Sequence, residues 1–361
     1  MNNFFTLAEN FIKQIEEMER QRKKISEILR ELNGKIELSF PEKFLFKRVE
    51  EDPLEKLKVA GVDGGLAKES LHGIDLIFIK AIGVVFEFEK GKLKEVCYHP
   101  KPWPSPTLNL VFDPFSELEF EMNSNMQRQI SEVEIACETL EKFKPDLLLM
   151  DGSIIPHYVY KPESSSPLFQ IYQHMIDTYK KLFSLVSERK TILAGIIEDS
   201  RGTRFCEILV KELGDLPKMR EARILLEKTK DTNLLSYVLE NKERTFSFPY
   251  SSEPATHPIL REFDDFSSKI QSFYLKAAQF DRPIRIDFFC DSNVSEMSDK
   301  ISSVILSTCN NSAYSFPSVL IEADLRVRFS TKEAEDYLTY LKNKLANLPA
   351  MFELRRKKRP F

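Results

Sequence analysis

Apolar residues recur at spacings of three and four positions near the start of the chain, over residues 6–33. The positions that form this stripe are Phe11, Ile15, Met18, Ile25, Leu29 and Leu32. This spacing predicts a long amphipathic α-helix. The Asn33-Gly34 pair that follows is typical of a helix C-terminus. We expect the stripe either to pack on the helix's own domain or to contact another subunit.

Short runs of apolar and β-branched residues then predict strands. The runs 57–65 and 75–88, the turn 89–92 and the following LKEVCYH segment predict an antiparallel meander of three strands. The Pro-rich stretch 99–107 predicts a loop, because proline cannot continue a sheet.

The middle of the chain alternates between helical and strand patterns. Residues 116–142 and 166–189 have the spacing of amphipathic helices, and the apolar runs 146–152 and 191–200 predict buried strands. In the last third, residues 285–290 predict a further strand. A meander followed by alternating strands and helices predicts an α/β fold with a mixed sheet flanked by helices.

The composition of the 361-residue chain argues against several classes of protein. Its 42% apolar residues argue against intrinsic disorder, and its net charge of −4 excludes a globally basic nucleic-acid coat protein. No apolar run reaches the roughly 20 residues of a membrane span. The five cysteines lack zinc or disulfide spacing. We expect a soluble, cytoplasmic protein with an N-terminal helix over 1–35 and one domain over 36–361.

Three predicted strands end in acids. Asp63 lies in VAGVDGG, Asp151 in LLLMDGS and Asp199 in GIIEDS. A glycine after such an acid allows a ligand or a metal ion close to the backbone. Carboxylates without His or Cys partners favour magnesium or manganese. Each acid alone could equally form a turn or cap a helix, but three in one sheet indicate a site for divalent cations.

A phosphodiester-cleaving site with two cations needs a cluster of carboxylates, usually with one from a helix that crosses the sheet. Glu132 and Glu134, on the predicted helix before Asp151, are the candidates. The alternative is that both belong to a solvated helix face. Other chemistry has little support, because the chain contains no GxxxxGK[ST], GxGxxG or GxSxG motif.

The order of several short motifs resembles that of the NurA nucleases. VAGVDGG, the Glu-bearing helix, DLLLMDGS, IIEDSRG, FYLK and PSVLIEAD follow one another across residues 57–345. The resemblance implies an RNase H-like core and a manganese-dependent DNA nuclease, with Mg²⁺ as an alternative cofactor. It also implies 5′–3′ exonuclease and single-strand endonuclease activity in a homodimer. The implied partner is a hexameric HerA translocase, in DNA end resection and double-strand break repair.

The resemblance also implies particular residues. Asp63 and Asp151 would be metal ligands and catalytic residues, and the family's helix glutamate would be Glu132, chosen over Glu134 by its distance from MDGS. Many members carry a metal-binding His in a C-terminal motif where this chain has Asp324. We expect Asp324 to complete the site, since aspartate also binds hard cations.

The remaining candidates are an additional acid and three residues that would contact DNA. Asp199 could join the site, Arg201 could hold a phosphate, and Tyr158 and Tyr160 could either stack on unpaired bases or pack in the core. Because Asp324 departs from the family pattern, two alternatives stay open. One is a catalytically silent RNase H-like subunit that binds DNA or a translocase. The other is an RNase H-like nuclease that acts on RNA or on DNA junctions.

Overall fold

The computed structural model describes residues 2–113, 115–220, 222–309 and 311–344, which form nine α-helices and eleven β-strands. The helices are α1 (Asn2–Leu32), α2 (Glu117–Phe143), α3 (Phe169–Arg189), α4 (Arg204–Leu213), α5 (Arg223–Leu226), α6 (Asp231–Val238), α7 (Val294–Thr308), α8 (Ser318–Val327) and α9 (Thr331–Lys344). The strands are β1 (Phe46–Arg48), β2 (Lys56–Ser70), β3 (Ile74–Glu89), β4 (Lys92–His99), β5 (Thr107–Phe112), β6 (Leu147–Asp151), β7 (Ile192–Ile197), β8 (Glu243–Thr245), β9 (Phe248–Pro249), β10 (Ile270–Leu275) and β11 (Ile284–Phe289). None of the described helices is long and apolar enough to cross a membrane.

The chain divides into two compact units, and the one that contains the predicted meander is called the meander unit. It comprises residues 54–193, 255–267 and 318–344. Strands β2 and β3 are antiparallel along their whole length, and β4 and β5 follow one another along the other edge of β3. Strand β6 lies parallel to β2. The meander, the helix α2 and the parallel strand confirm the mixed sheet predicted from the sequence.

Strand β2 differs from the prediction at its centre. Asp63 was expected at the end of a strand, but β2 continues through Gly64 and Gly65 to Ser70. The expectation was wrong because these glycines keep an extended backbone. They allow other elements to pack closely against the strand and do not form a turn. A Cβ at Gly65 would overlap the backbone of α8. Asp151, in contrast, does end its strand.

The turn after Asp151 has the backbone that glycine favours. Gly152 has a φ of +92°, a left-handed conformation that residues with a Cβ rarely adopt. Nothing lies within 4 Å of the position that its Cβ would occupy, so the conformation and not the available space requires glycine here. The turn leaves Asp151 at the open end of β6.

The other unit comprises residues 2–53, 194–254 and 268–317, and we call it the helical unit. Strands β1, β8, β10 and β11 are antiparallel neighbours, and β9 pairs with β10. The predicted helix α1 is present, and Gly34 follows it with a φ of +73°. Ile25 and Leu29 of α1 are buried in this unit's core, which also contains residues of α4 and α6. The division into residues 1–35 and 36–361 stays a prediction.

A buried arginine joins several segments of the helical unit. The Arg244 side chain is fully buried and donates hydrogen bonds to Glu42 Oε1 (2.5 Å) and Asp299 Oδ1 (2.6 Å). Glu42 also accepts from Ser247 N and Ser295 Oγ. Burial opposes ionisation of Glu42, but the hydrogen bonds and charge of Arg244 outweigh burial. The pKa of Glu42 therefore lies below its ordinary value of 4.5.

We predict that this ion pair makes the helical unit sensitive to acid. Because the folded-state pKa of Glu42 is lowered, its contribution to the free energy of unfolding is complete above pH 4.5 and is lost as the pH falls through the lowered value. Glu42→Gln should cost about 3 kcal/mol at neutral pH, since Arg244 loses its buried partner. Urea unfolding at neutral and acidic pH measures both effects. An identical acid dependence in wild type and variant would contradict the assignment.

Candidate active site

Three of the candidate acids line one cavity of about 360 Å³ in the meander unit: Asp63, Asp151 and Asp324. Asp63 and Asp151 each lie one residue beyond the paired residues Val62 and Met150 of the parallel strands β2 and β6. Neighbouring strands are about 5 Å apart. The two aspartates are therefore side by side at the same position along the sheet, and α8 brings the third acid to them.

Glu132 joins these acids from α2. Its side chain is only 6% exposed, and a Cβ at Gly64 would lie 2.5 Å from its Oε1. Glu134, two residues later, is half-exposed and lies 3.8 Å from His174 Nε2. The structure therefore places Glu132, and not Glu134, beside the aspartates.

Burial and like charge make ionisation of Glu132 and Asp63 unfavourable. Burial raises the pKa of Glu132 to about 8, and Asp63 and Asp151 contribute further, while the charge of Arg128 opposes the rise. The pKa of Asp63 is raised chiefly by burial, and Asp324 adds to this. A divalent cation would favour the ionised carboxylates and so lower these pKa values.

Two arginines that the sequence analysis did not identify also line the cavity. Arg128 lies one turn before Glu132 on α2 and forms an ion pair with it. Arg328 lies four residues after Asp324, immediately beyond the last residue of α8, and pairs with it. The spacing of four residues is visible in the sequence. It is also common on solvated helix faces, so the pattern alone did not distinguish these arginines.

The chemistry of the acids suits a hard divalent cation, since every candidate ligand is a carboxylate oxygen. Among the residues that the structure describes, no group of three or more His, Cys, Asp or Glu side chains already has the arrangement of a metal site. Glu132 and Asp324 are instead engaged by arginines. Cation binding would therefore exchange the arginine partners of these two carboxylates for the ion.

One of the two candidate tyrosines is near the acids. Tyr160 lies in the short 3₁₀-helix 158–160, and its ring contacts the His157 ring edge to face, with 6.5 Å between ring centroids. It is close enough to Arg128 to contribute to the raised pKa of the guanidinium, for which Glu132 is the main cause. The side chain of Tyr158 lies outside the part that the structure describes.

The other two candidates belong to the helical unit. The Asp199 side chain is 90% exposed, and its Oδ1 lies 4.0 Å from Arg282 Nη1. Arg201, two residues later, is also exposed. Neither residue is in the unit that contains the four clustered carboxylates. Their proposed roles therefore receive no support from the geometry of the cavity.

We predict opposite outcomes for substitutions at the two adjacent glycines. In Gly64→Ala the new methyl group meets the flexible side chain of Glu132, so the unit should stay folded while Mn²⁺ affinity falls. In Gly65→Ala it meets the backbone of Val327, and the free energy of unfolding should fall by about 1–3 kcal/mol. Thermal unfolding and calorimetric Mn²⁺ titration measure the two effects. Indistinguishable behaviour of the two variants would contradict the geometry.

Comparisons with known proteins agree with this architecture. The NurA domain family matches residues 57–340. The NurA nuclease from Sulfolobus solfataricus aligns with a TM-score of 0.63 and 15% identity over 96% of this chain and 98% of that one. A NurA structure bound to dAMP and manganese aligns with a TM-score of 0.55 and 12% identity, over 95% and 96% of the two chains. No curated protein sequence matches. Because the family match spans most of its length, this chain belongs to the NurA family.

Proposed function

We propose that this protein is a manganese-dependent DNA nuclease, with Mg²⁺ as an alternative cofactor. The observation that carries the proposal is that Asp63, Asp151 and Asp324 line one cavity, with the buried carboxylate of Glu132 beside Asp63 and Asp151. Divalent cations held there would activate water and stabilise the leaving oxygen of a phosphodiester. The manganese- and dAMP-bound NurA structure supports this choice of metal and substrate class.

Each of the four carboxylates would be a ligand of the cations. Asp63 and Asp151 would be ligands from adjacent strands, and Glu132 would be the ligand from the crossing helix. Asp324 would replace the histidine found in many family members. It lines the same cavity, and a carboxylate oxygen suits a hard cation. The location of Asp324 at the cavity favours an active enzyme over the catalytically silent alternative.

Other residues would contact the DNA strand. Tyr160, close to Arg128, could stack on an unpaired base, and Tyr158 could do the same. Arg201 could bind a phosphate and Asp199 could add a carboxylate, as their sequence positions suggest.

We propose further that the enzyme has 5′–3′ exonuclease and single-strand endonuclease activity in DNA end resection and double-strand break repair. The sequence contains no phosphate-binding loop of the GxxxxGK[ST] type. The chain therefore cannot use such a loop to couple ATP hydrolysis to the movement of DNA. Degradation of long duplex DNA would therefore require a translocase of the HerA type.

Adding such an ATPase with ATP should increase the length of duplex that the nuclease degrades.

We predict that single carboxylate substitutions abolish cutting. Asp63→Asn, Asp151→Asn and Glu132→Gln should each lower the cleavage rate by about 1,000-fold, because each removes a charged ligand of the cations. Glu134→Gln is the matched control on the same helix and should cut like wild type. End-labelled single- and double-stranded DNA, incubated with Mn²⁺, Mg²⁺ or EDTA, provides the assay.

The outcome separates the alternatives. Near wild-type cutting by a folded Asp63→Asn or Asp151→Asn variant would refute the site. A wild-type protein that binds DNA but cuts nothing with either cation would be the silent subunit. Preferential cutting of RNA or of DNA junctions would refute the proposed substrate.

The first half of α1 has the surface expected of a subunit contact. Phe11 and Ile15 are 60% and 54% exposed, whereas Ile25 and Leu29, further along the same stripe, are buried in the helical unit. We propose that a second copy of the chain covers the exposed part. A two-fold dimer is the commonest closed assembly and would present one active site to each strand of a duplex.

We predict that light scattering gives about twice the chain mass of 42.0 kDa. Phe11→Glu and Ile15→Glu should each yield monomers, because a charge would be buried in an apolar contact. Ile224→Glu is the control, since Ile224 is 67% exposed on α5 and outside the stripe. A monomeric wild type, or a dimer unaffected by the α1 substitutions, would contradict the proposal.

A further inference from the structure

Two ion pairs lie at the cavity, and each joins an arginine to an acid four residues away. On α2, Arg128 lies four residues before Glu132; on α8, Asp324 lies four residues before Arg328. In each pair an arginine that lines the cavity engages an acid that we propose to bind the cation. The two helices pack against β2 and bring the pairs to the same place.

The charges show what this arrangement would do. With the carboxylates of Asp63, Glu132, Asp151 and Asp324 ionised, Arg128 and Arg328 offset only half of their charge. The cavity would then be negative and would repel a phosphate. Two bound divalent cations would reverse the sign.

Cation binding would also change the partners of both arginines. An ion that takes the oxygens of Glu132 and Asp324 leaves the two guanidinium groups without those carboxylates. A guanidinium offers a planar fork of N–H donors that matches a phosphate in the same way as a carboxylate. A phosphate of the DNA strand is therefore a suitable replacement partner.

We propose that Arg128 and Arg328 are the phosphate-binding residues of this site, and that cation binding makes them available by taking Glu132 and Asp324 from them. The proposal rests on the metal site proposed above. It makes the affinity for the DNA strand depend on the cation even where no bond is cut. By thermodynamic linkage, DNA would raise the affinity for the cation by the same factor.

The two arginines would have different parts in binding. The Arg128 side chain is 26% exposed, on the helix that carries Glu132, and would bind a phosphate close to the cations. Arg328 is 67% exposed and would bind from the more open side. Lysine should replace Arg128 poorly, since a single ammonium group lacks the planar fork.

The experiment measures binding instead of cutting. Fluorescence anisotropy of a labelled single-stranded oligonucleotide is recorded with Ca²⁺, which also takes oxygen ligands, or with EDTA. A gel confirms that the oligonucleotide stays intact. Wild-type affinity should be about tenfold or more higher with Ca²⁺. Arg128→Met and Arg328→Met should each remove most of this gain and change the affinity in EDTA little.

The chain offers a matched control for each arginine. Arg326, on α8, pairs with Glu322 in the same order and spacing as Arg328 with Asp324. Arg223 pairs with Glu227 in the order of Arg128 with Glu132. Arg326→Met and Arg223→Met should keep the full calcium-dependent gain. An equal loss in the control variants would refute the assignment to Arg128 and Arg328.

A second measurement tests the exchange of partners directly and does not need the cation. Glu132→Gln leaves Arg128 without its carboxylate, so the affinity for the oligonucleotide in EDTA should rise about tenfold. The double variant Glu132→Gln/Arg128→Met should lose that rise. The double variant has the net charge of wild type, so Glu134→Gln, which removes one negative charge from the same helix, is the control for charge alone. An equal rise in Glu134→Gln, a rise that persists without Arg128, or the absence of any rise would overturn the proposal.

The results also separate this inference from the proposed activity. Cutting with Mn²⁺, together with an oligonucleotide affinity that neither Ca²⁺ nor the two arginines affect, would overturn the phosphate site and leave the nuclease intact. Calcium- and arginine-dependent binding without cutting under any condition would support the phosphate site and refute the nuclease.

Discussion

The burial of like charges around one cavity is the constraint on which the meander unit depends. Asp63 and Glu132 lose hydration because they are buried, and the neighbouring carboxylates repel their charge, so the pKa values of both are raised. Arg128 and Arg328 compensate part of this charge. In our account, divalent cations compensate the rest. The energetic cost of the acid cluster is thereby coupled to cation binding and, through the arginines, to DNA binding.

The backbone of β2 makes this concentration of charge possible. Gly64 leaves room for the side chain of Glu132, and Gly65 leaves room for the backbone of α8. Two helices can therefore approach the strand at consecutive residues, and each contributes one acid and one arginine. Asp63 is the strand's own contribution. The sequence Asp-Gly-Gly therefore marks the place where α2 and α8 pack against β2, and it does not form a turn.

Hydrophobic patterning predicted α2 from its helical spacing, and it predicted the meander and β6 from short apolar runs, because strands that are buried on both faces are almost continuously apolar. It also placed Asp63 and Asp151 on strands of one sheet. It did not show that Asp63 lies inside β2, since glycines that admit a helix and glycines that form a turn look alike in a sequence. Strand β5 was missed because its residues are largely exposed after a Pro-rich loop. The arginines were missed because their significance depends on tertiary packing.

The central claim is that divalent cations bind among the four carboxylates, and diffraction from crystals containing Mn²⁺ tests it most directly. Anomalous scattering identifies manganese without reference to activity. Our account predicts an anomalous peak within coordination distance of the Asp63 and Asp151 carboxylates, with Glu132 turned from Arg128 toward the ion. A crystal saturated with Mn²⁺ that shows no peak in this cavity, with Glu132 still paired to Arg128, would contradict it.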